Sequence, residues 1–227
     1  MTEYFKLNNK NEILRFESNL RTYYGTKSHF DILPYLDLIS WFDFCQKNQD
    51  TGAKIFTAVL DIKISLLFVD FERTKVQQIW EGKSDVLTSK NILEDFNYFH
   101  LSFDLLESLS TYIFKYRALL DKIMGLIVLY FSPDNYNKFR RGDSRKKLFK
   151  SIFENNSIPL NLSFQNVFEF LEQFDEKLRT PEAHAIGSIR KWVLASSEVG
   201  KLEFGLIPKS WSNLRYIISE IDKIKLL

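Results

Sequence analysis

Leu105-Leu106-Glu107-Ser108-Leu109-Ser110-Thr111-Tyr112-Ile113-Phe114-Lys115-Tyr116-Arg117-Ala118-Leu119-Leu120-Asp121-Lys122-Ile123-Met124-Gly125-Leu126-Ile127-Val128-Leu129-Tyr130 is the stretch that decides the fold class. Leu105, Leu109, Tyr112, Tyr116, Leu119, Ile123, Ile127 and Tyr130 recur at steps of three and four. That spacing lines one face of an α-helix. The helical pattern extends back to about residue 90, with His100-Leu101-Ser102 as a candidate break into two helices. Ser132-Pro133-Asp134 ends it, because a residue before proline is pushed out of the helical region.

Working outward, 11–24 reads as a helix, with Ile13, Leu14, Phe16, Leu20 and Tyr23 near one face. Pro34 fits a first helical position and opens a second helix over 34–48. Residues 54–80 have enough β-branched content for two strands, but no turn signal divides them, so helix is expected. Downstream, a basic helix is predicted over about 143–154, a loop over 155–162 and an amphipathic helix over 163–178, with Val167, Phe168, Leu171, Phe174 and Leu178 apolar. Thr180 then fits an N-cap, with Pro181 in the first helical position and Glu182 near the positive end of the dipole. That helix runs to about Ala195. Gly200 and Gly205-Leu206-Ile207-Pro208 mark a loop before a last helix over 210–225. The expectation is an all-α bundle of seven or eight helices around the long apolar one. N-terminal helices within 1–89 pack on a bundle formed by 90–227, making one compact domain.

Composition agrees with helices. Eight Gly and five Pro in 227 residues are too few for a turn-rich sandwich or barrel. The 21 Phe and 10 Tyr supply an aromatic core. A net charge of +2 implies no acidic or basic partner, so any nucleic-acid surface has to be a local patch. The single cysteine, Cys45, leaves no intrachain disulfide and no cysteine-cluster metal site, and its apolar neighbours predict a buried thiol. The N-terminus shows no signal peptide. The most apolar stretch, 55–71, is interrupted by Asp61, Lys63 and Asp70, too charged for a membrane span. A soluble, cytoplasmic chain with no membrane contact is expected.

Chemistry points to Arg179-Thr180-Pro181-Glu182-Ala183-His184. A guanidinium grips a phosphate by its two-pronged fork, and an imidazole near its normal pKa moves protons at neutral pH. RNA cleavage by its own 2′-hydroxyl needs both: proton transfer at the 2′- and 5′-oxygens, and support for negative charge on phosphorus. A helix start at Thr180 would add free amide donors for the same anion.

Arg-x4-His late in an all-helical chain resembles the HEPN superfamily, whose signature is Arg, a polar residue, three to five residues and His. Arg179, Thr180 and His184 match it, although the usual polar residue is Asn, Asp or His, and Pro181 is unusual there. Tyr116-Arg117-Ala118-Leu119-Leu120-Asp121-Lys122-Ile123 resembles the central helix of bacterial HEPN-like proteins, and Gly187-Ser188-Ile189-Arg190-Lys191-Trp192 is compatible with them. The resemblance covers roughly 90–195. It implies a metal-independent endoribonuclease of a toxin or defence type, acting as a homodimer and leaving a 2′,3′-cyclic phosphate. Arg179 would bind phosphate and His184 would transfer the proton, with no metal and no cofactor. The competing expectation is a non-catalytic helical dimer that binds a partner protein, a nucleotide or RNA.

Two further groups stand out. Arg117 and Asp121 are spaced i, i+4, which is ion-pair geometry on a helix. The pair can orient His184, hold Arg179 or only lock two helices together. Lys138, Arg140, Arg141, Arg145, Lys146, Lys147 and Lys150 put seven cations between 138 and 150, against Asp143 alone. Phe139 and Phe149 interleave with them. Arg140, Arg141, Arg145, Lys146 and Lys147 are the candidate RNA contacts, against a solvated helix face or a seam binding an acidic neighbour. His29 and His100 have no partner at metal-ligand spacing. Gly82-Lys83-Ser84 lacks the first glycine of a phosphate loop, since position 77 is Gln77. GxSxG, HExxH, GxGxxG and DxDxDG are absent.

Overall fold

In a computed structural model the described residues are 7–25, 36–47, 51–89, 96–142, 145–155, 158, 164–184 and 205–227. The side chains at 82–89, 96–99, 164–168 and 184 lie outside that description. Among the described residues there are eight helices and no strand.

Helix α1 is Lys10–Tyr24. The Asn9 side chain accepts from the Glu12 amide, and the Glu12 carboxylate accepts from the Asn8 amide. This reciprocal pairing satisfies free donors of the first turn. Helix α2 is Leu38–Gln46, four residues shorter at its start than the proline suggested. Asp37 caps it by accepting from the Ile39 amide at 3.0 Å, and Pro34 lies outside the described residues.

Helices α3, Gly52–Ser89, and α4, Phe96–Phe131, form the long central pair. With 38 and 36 residues they run about 57 and 54 Å at a helical rise of 1.5 Å per residue. The β-branched residues of α3 sit in one uninterrupted helix. In α4 the apolar periodicity runs through His100-Leu101-Ser102 without a break, because Leu101 and Ser102 turn inward while His100 faces out. Gly52 allows α3 to start against the end of α2. A Cβ there would stand 2.1 Å from the Cys45 carbonyl oxygen.

Ser132 leaves the helical region ahead of Pro133, and a short 3-10 turn, Pro133–Asn135, leads into α5, Tyr136–Arg141. Helix α6 is Arg145–Asn155. The N-cap predicted at Asp143 or Ser144 lies outside the described residues. Helix α7 runs through Phe164–Phe174, a π turn at Asp175–Arg179 and Thr180–His184. Helix α8 is Leu206–Asp222, closed by a 3-10 turn over Lys223–Leu226. Leu206, Ile207 and Pro208 were expected in a loop. They form the first turn of α8 instead, where a proline costs no hydrogen bond.

One cluster of buried side chains runs from Ile13 through Trp41, Val59, Tyr112, Phe149 and Phe174 to Ile224. Helix α4 lies at its centre. Its inward residues, from Leu105 to Ile127 in the predicted stripe, are at most 2% exposed. Helix α3 covers one flank of α4, and α5, α6 and the π turn of α7 cover the other. Cys45 is buried as expected, and burial pushes its thiol up to about 11. No helix among the described residues is long and apolar enough to cross a membrane.

Candidate functional site

The apolar stripe of α7 carries Phe170, Leu171, Phe174 and Leu178 inward. Asp175 lies on the same stripe and is 7% exposed. A carboxylate there needs a partner, because burying an unpaired charge is very unfavourable. The partner is Arg117 of α4, whose Nε donates to both carboxylate oxygens at 2.9 and 3.1 Å. The guanidinium also meets Asp121 one turn on, with Nη1 2.5 Å from Oδ1. Helix α6 completes the cluster. Lys146 Nζ lies 2.5 Å from Asp175 Oδ2, and Arg145 Nη1 lies 3.8 Å from Asp121 Oδ2.

The cluster therefore ties α4, α6 and α7 together. Burial alone would lower the Arg117 pKa, but the carboxylates of Asp121 and Asp175 outweigh it and hold the guanidinium above its ordinary value. Aromatic rings lie beside it. Tyr116 packs on Phe174 at 4.7 Å and on Tyr112 at 5.9 Å, and the Tyr112 hydroxyl bonds the Ser210 hydroxyl at 2.7 Å. Burial raises both phenols.

The π turn corrects the expected helix start at Thr180. Thr180 has helical backbone angles, φ −68° and ψ −47°, and its amide donates to the Asp175 carbonyl. It is a mid-helix residue, so the free amides of a helix N-terminus are not available there. Pro181 supplies the physical reason. It has no N–H for the Lys177 carbonyl, and its ring crowds that carbonyl in a regular helix. The widened turn relieves the crowding and lets the helix continue. Glu182, expected at the positive end of a dipole, is instead 6% exposed within the helix.

Arg179 and Thr180 are exposed. Arg179 has no ion-pair partner among the described residues, and it is not held by Arg117 or Asp121. The His184 backbone closes the last described turn, but its side chain lies outside the described residues. Of the roles expected of the Arg117–Asp121 pair, locking helices together is present in the geometry, and orienting His184 rests on a side chain outside the described residues.

The basic segment divides in two. Arg145 and Lys146, expected on RNA, have their charge taken up by Asp121 and Asp175, so the acidic neighbour belongs to this chain itself. Lys138, Arg140, Arg141 and Lys147 are exposed and have no ion-pair partner among the described residues. Sequence reasoning missed Asp175. The available signal was a carboxylate on the apolar face of one helix and an arginine beside Tyr116 and Leu120 on another. No group of three His, Cys, Asp or Glu side chains among the described residues can hold a metal.

Compared with protein-family models, curated proteins and solved structures, the chain matches none.

Proposed function

We propose that this chain is a HEPN-like RNA-binding protein that cleaves RNA without a metal, as a homodimer, with Arg179 gripping phosphate and His184 transferring the proton. The observation that carries this reading is the Lys146–Asp175 ion pair at 2.5 Å. It draws α6 alongside the turn that bears Arg179. Arg145 and Lys146 of α6 thus stand against α4 and the turn that leads to Arg179, with Lys147 exposed beside them. A phosphate backbone entering there meets several cations in sequence, the usual source of sequence-independent affinity.

The test is incubation of a mixed RNA pool with wild type, Arg179→Ala and His184→Ala in EDTA, reading fragments and their 2′,3′-cyclic phosphate ends. Cleavage by wild type is expected to fall about 10²- to 10⁴-fold in His184→Ala, the usual range for losing one proton-transfer group. Full cleavage by both variants would remove the site assignment, and loss of wild-type cleavage in EDTA would remove the metal-free mechanism.

A second reading, a non-catalytic RNA-binding helical protein, is favoured by one observation. The Thr180 amide is already engaged by the Asp175 carbonyl, so the phosphate would lack the amide donors a helix start supplies. Retention of RNA without cleavage would select it.

A further inference from the structure

The charge cluster at the junction of α4, α6 and α7 has an inner and an outer layer. The inner cation is Arg117, whose side chain is 12% exposed. It reaches both carboxylates, Asp175 at 2.9 Å and Asp121 at 2.5 Å. The outer cations are open to solvent. The Lys146 side chain is 38% exposed and pairs with Asp175, and that of Arg145 is 43% exposed and lies 3.8 Å from Asp121. Arg145 also donates through Nη2 to the Arg140 carbonyl at 3.0 Å, which holds it at the end of α5, where Arg140 and Arg141 are exposed. A phosphate arriving from solvent therefore meets Arg145 and Lys146 before it meets the carboxylates. Releasing these two cations does not orphan Asp121 or Asp175, because Arg117 still reaches both. Removing the inner partner would leave a buried charge unpaired, whereas exchange in the outer layer swaps one anion for another around a half-exposed cation.

We propose, resting on the RNA-binding reading above, that Asp121 and Asp175 are an autoinhibitory stand-in for phosphate. They occupy Arg145 and Lys146 in the free chain and have to be displaced before single-stranded RNA gains those cations. The Arg145–Asp121 contact is the longer of the two outer pairs, so it is exchanged first. Arg140, Arg141 and Lys147 are exposed and anchor the backbone that displaces the carboxylates. Once anchored, the next phosphates compete at high local concentration. The device therefore holds down affinity for isolated phosphates and favours a chain of them.

The experiment is filter binding of polyuridylate RNA to the full chain over a salt series. Wild type is compared with Asp121→Asn, Arg145→Ala, the double variant and Glu154→Gln, which removes an exposed carboxylate of α6 paired with Lys150 at 3.9 Å. Asp121→Asn keeps the side-chain shape and leaves Arg117 its bonds to Asp175, so the fold persists, which circular dichroism verifies. Asp121→Asn is expected to bind RNA about two- to fivefold tighter, the range for releasing a half-exposed ion pair. Its slope of log affinity against log salt should steepen by about 0.7, one further phosphate contact. The gain should vanish in the Arg145→Ala background, which the double-mutant cycle reads. Glu154→Gln should gain less. Equal binding by wild type and Asp121→Asn, a gain that persists without Arg145, or an equal gain in Glu154→Gln overturns the autoinhibition and leaves RNA binding standing. Binding by Asp121→Asn with none by wild type supports it. No binding by either overturns the autoinhibition and the RNA-binding reading together.

Discussion

Arg117 and Asp175, 58 positions apart in the chain, form an ion pair in which the single Arg117 Nε donates to both carboxylate oxygens and both side chains are about nine-tenths buried. Their tie sets the turn of α7 against α4, so it bears on stability more than a surface pair does. Asp175→Ala leaves the Arg117 charge short of a partner and is expected to cost about 3–5 kcal/mol. Lys10→Ala removes an exposed pair with Asp43 and should cost less than about 1 kcal/mol. Urea unfolding followed by circular dichroism separates the two, and equal losses would remove the structural role assigned to Asp175.

Pro181 explains the π turn, so removing the proline removes its cause. In Pro181→Ala the new amide can donate to the Lys177 carbonyl. The turn is expected to narrow to a regular helix, with the Thr180 amide moving from the Asp175 to the Glu176 carbonyl. Stability should rise by up to about 3 kcal/mol, the helix-interior penalty of proline. A crystal structure of the variant that retained the wide turn would place its cause in the Asp175 ion pairs instead.

Alkaline pH tests the aromatic layer. Burial raises the Tyr112 and Tyr116 phenols above the ordinary value of 10.0. Their stabilising contribution is complete below pH about 10 and is lost above it, because the unfolded chain releases protons that the folded chain keeps. Each contributes a slope of about 1.4 kcal/mol per pH unit in that window. Lys63 works the other way. Burial lowers its pKa below 10.5, so stability rises with pH from its folded-state value up to about that point. Unfolding midpoints of wild type, Tyr112→Phe and Tyr116→Phe across pH 10 check this, with a shallower decline expected in each variant.

Arg140, Arg141 and Lys147 are exposed and carry the proposed phosphate contacts. Changing all three to Glu is expected to leave the fold intact and weaken RNA retention. If each makes one contact to single-stranded RNA, the slope of log affinity against log salt should shrink by about 2. Filter binding over a salt series measures it. An unchanged slope would move the RNA surface elsewhere.

How much of this was legible in the sequence follows from the range of each interaction. The all-helical class and the central helix are periodicity, and periodicity is local. Leu105, Leu109, Tyr112 and Tyr116 line one face whatever lies opposite. The end of α4 at Ser132-Pro133 is equally local, because the proline ring acts on its neighbour.

The reading of Thr180-Pro181-Glu182 as a helix start went wrong because the same residue types suit a helix start and a widened mid-helix turn. The choice lies with whether the helix before Thr180 continues into it, and here Phe164–Phe174 and the turn at Asp175–Arg179 run straight on, the turn widening to accommodate Pro181. The partners of Arg145 and Lys146 were hidden as well, because their charges look free along the chain and are taken up across it. The sequence by itself determined which segments are helical and which faces are apolar, since those depend on residues three and four apart. Only the tertiary structure decided which buried charges meet, where a proline is tolerated and which cations stay exposed, because those depend on which helices pack together.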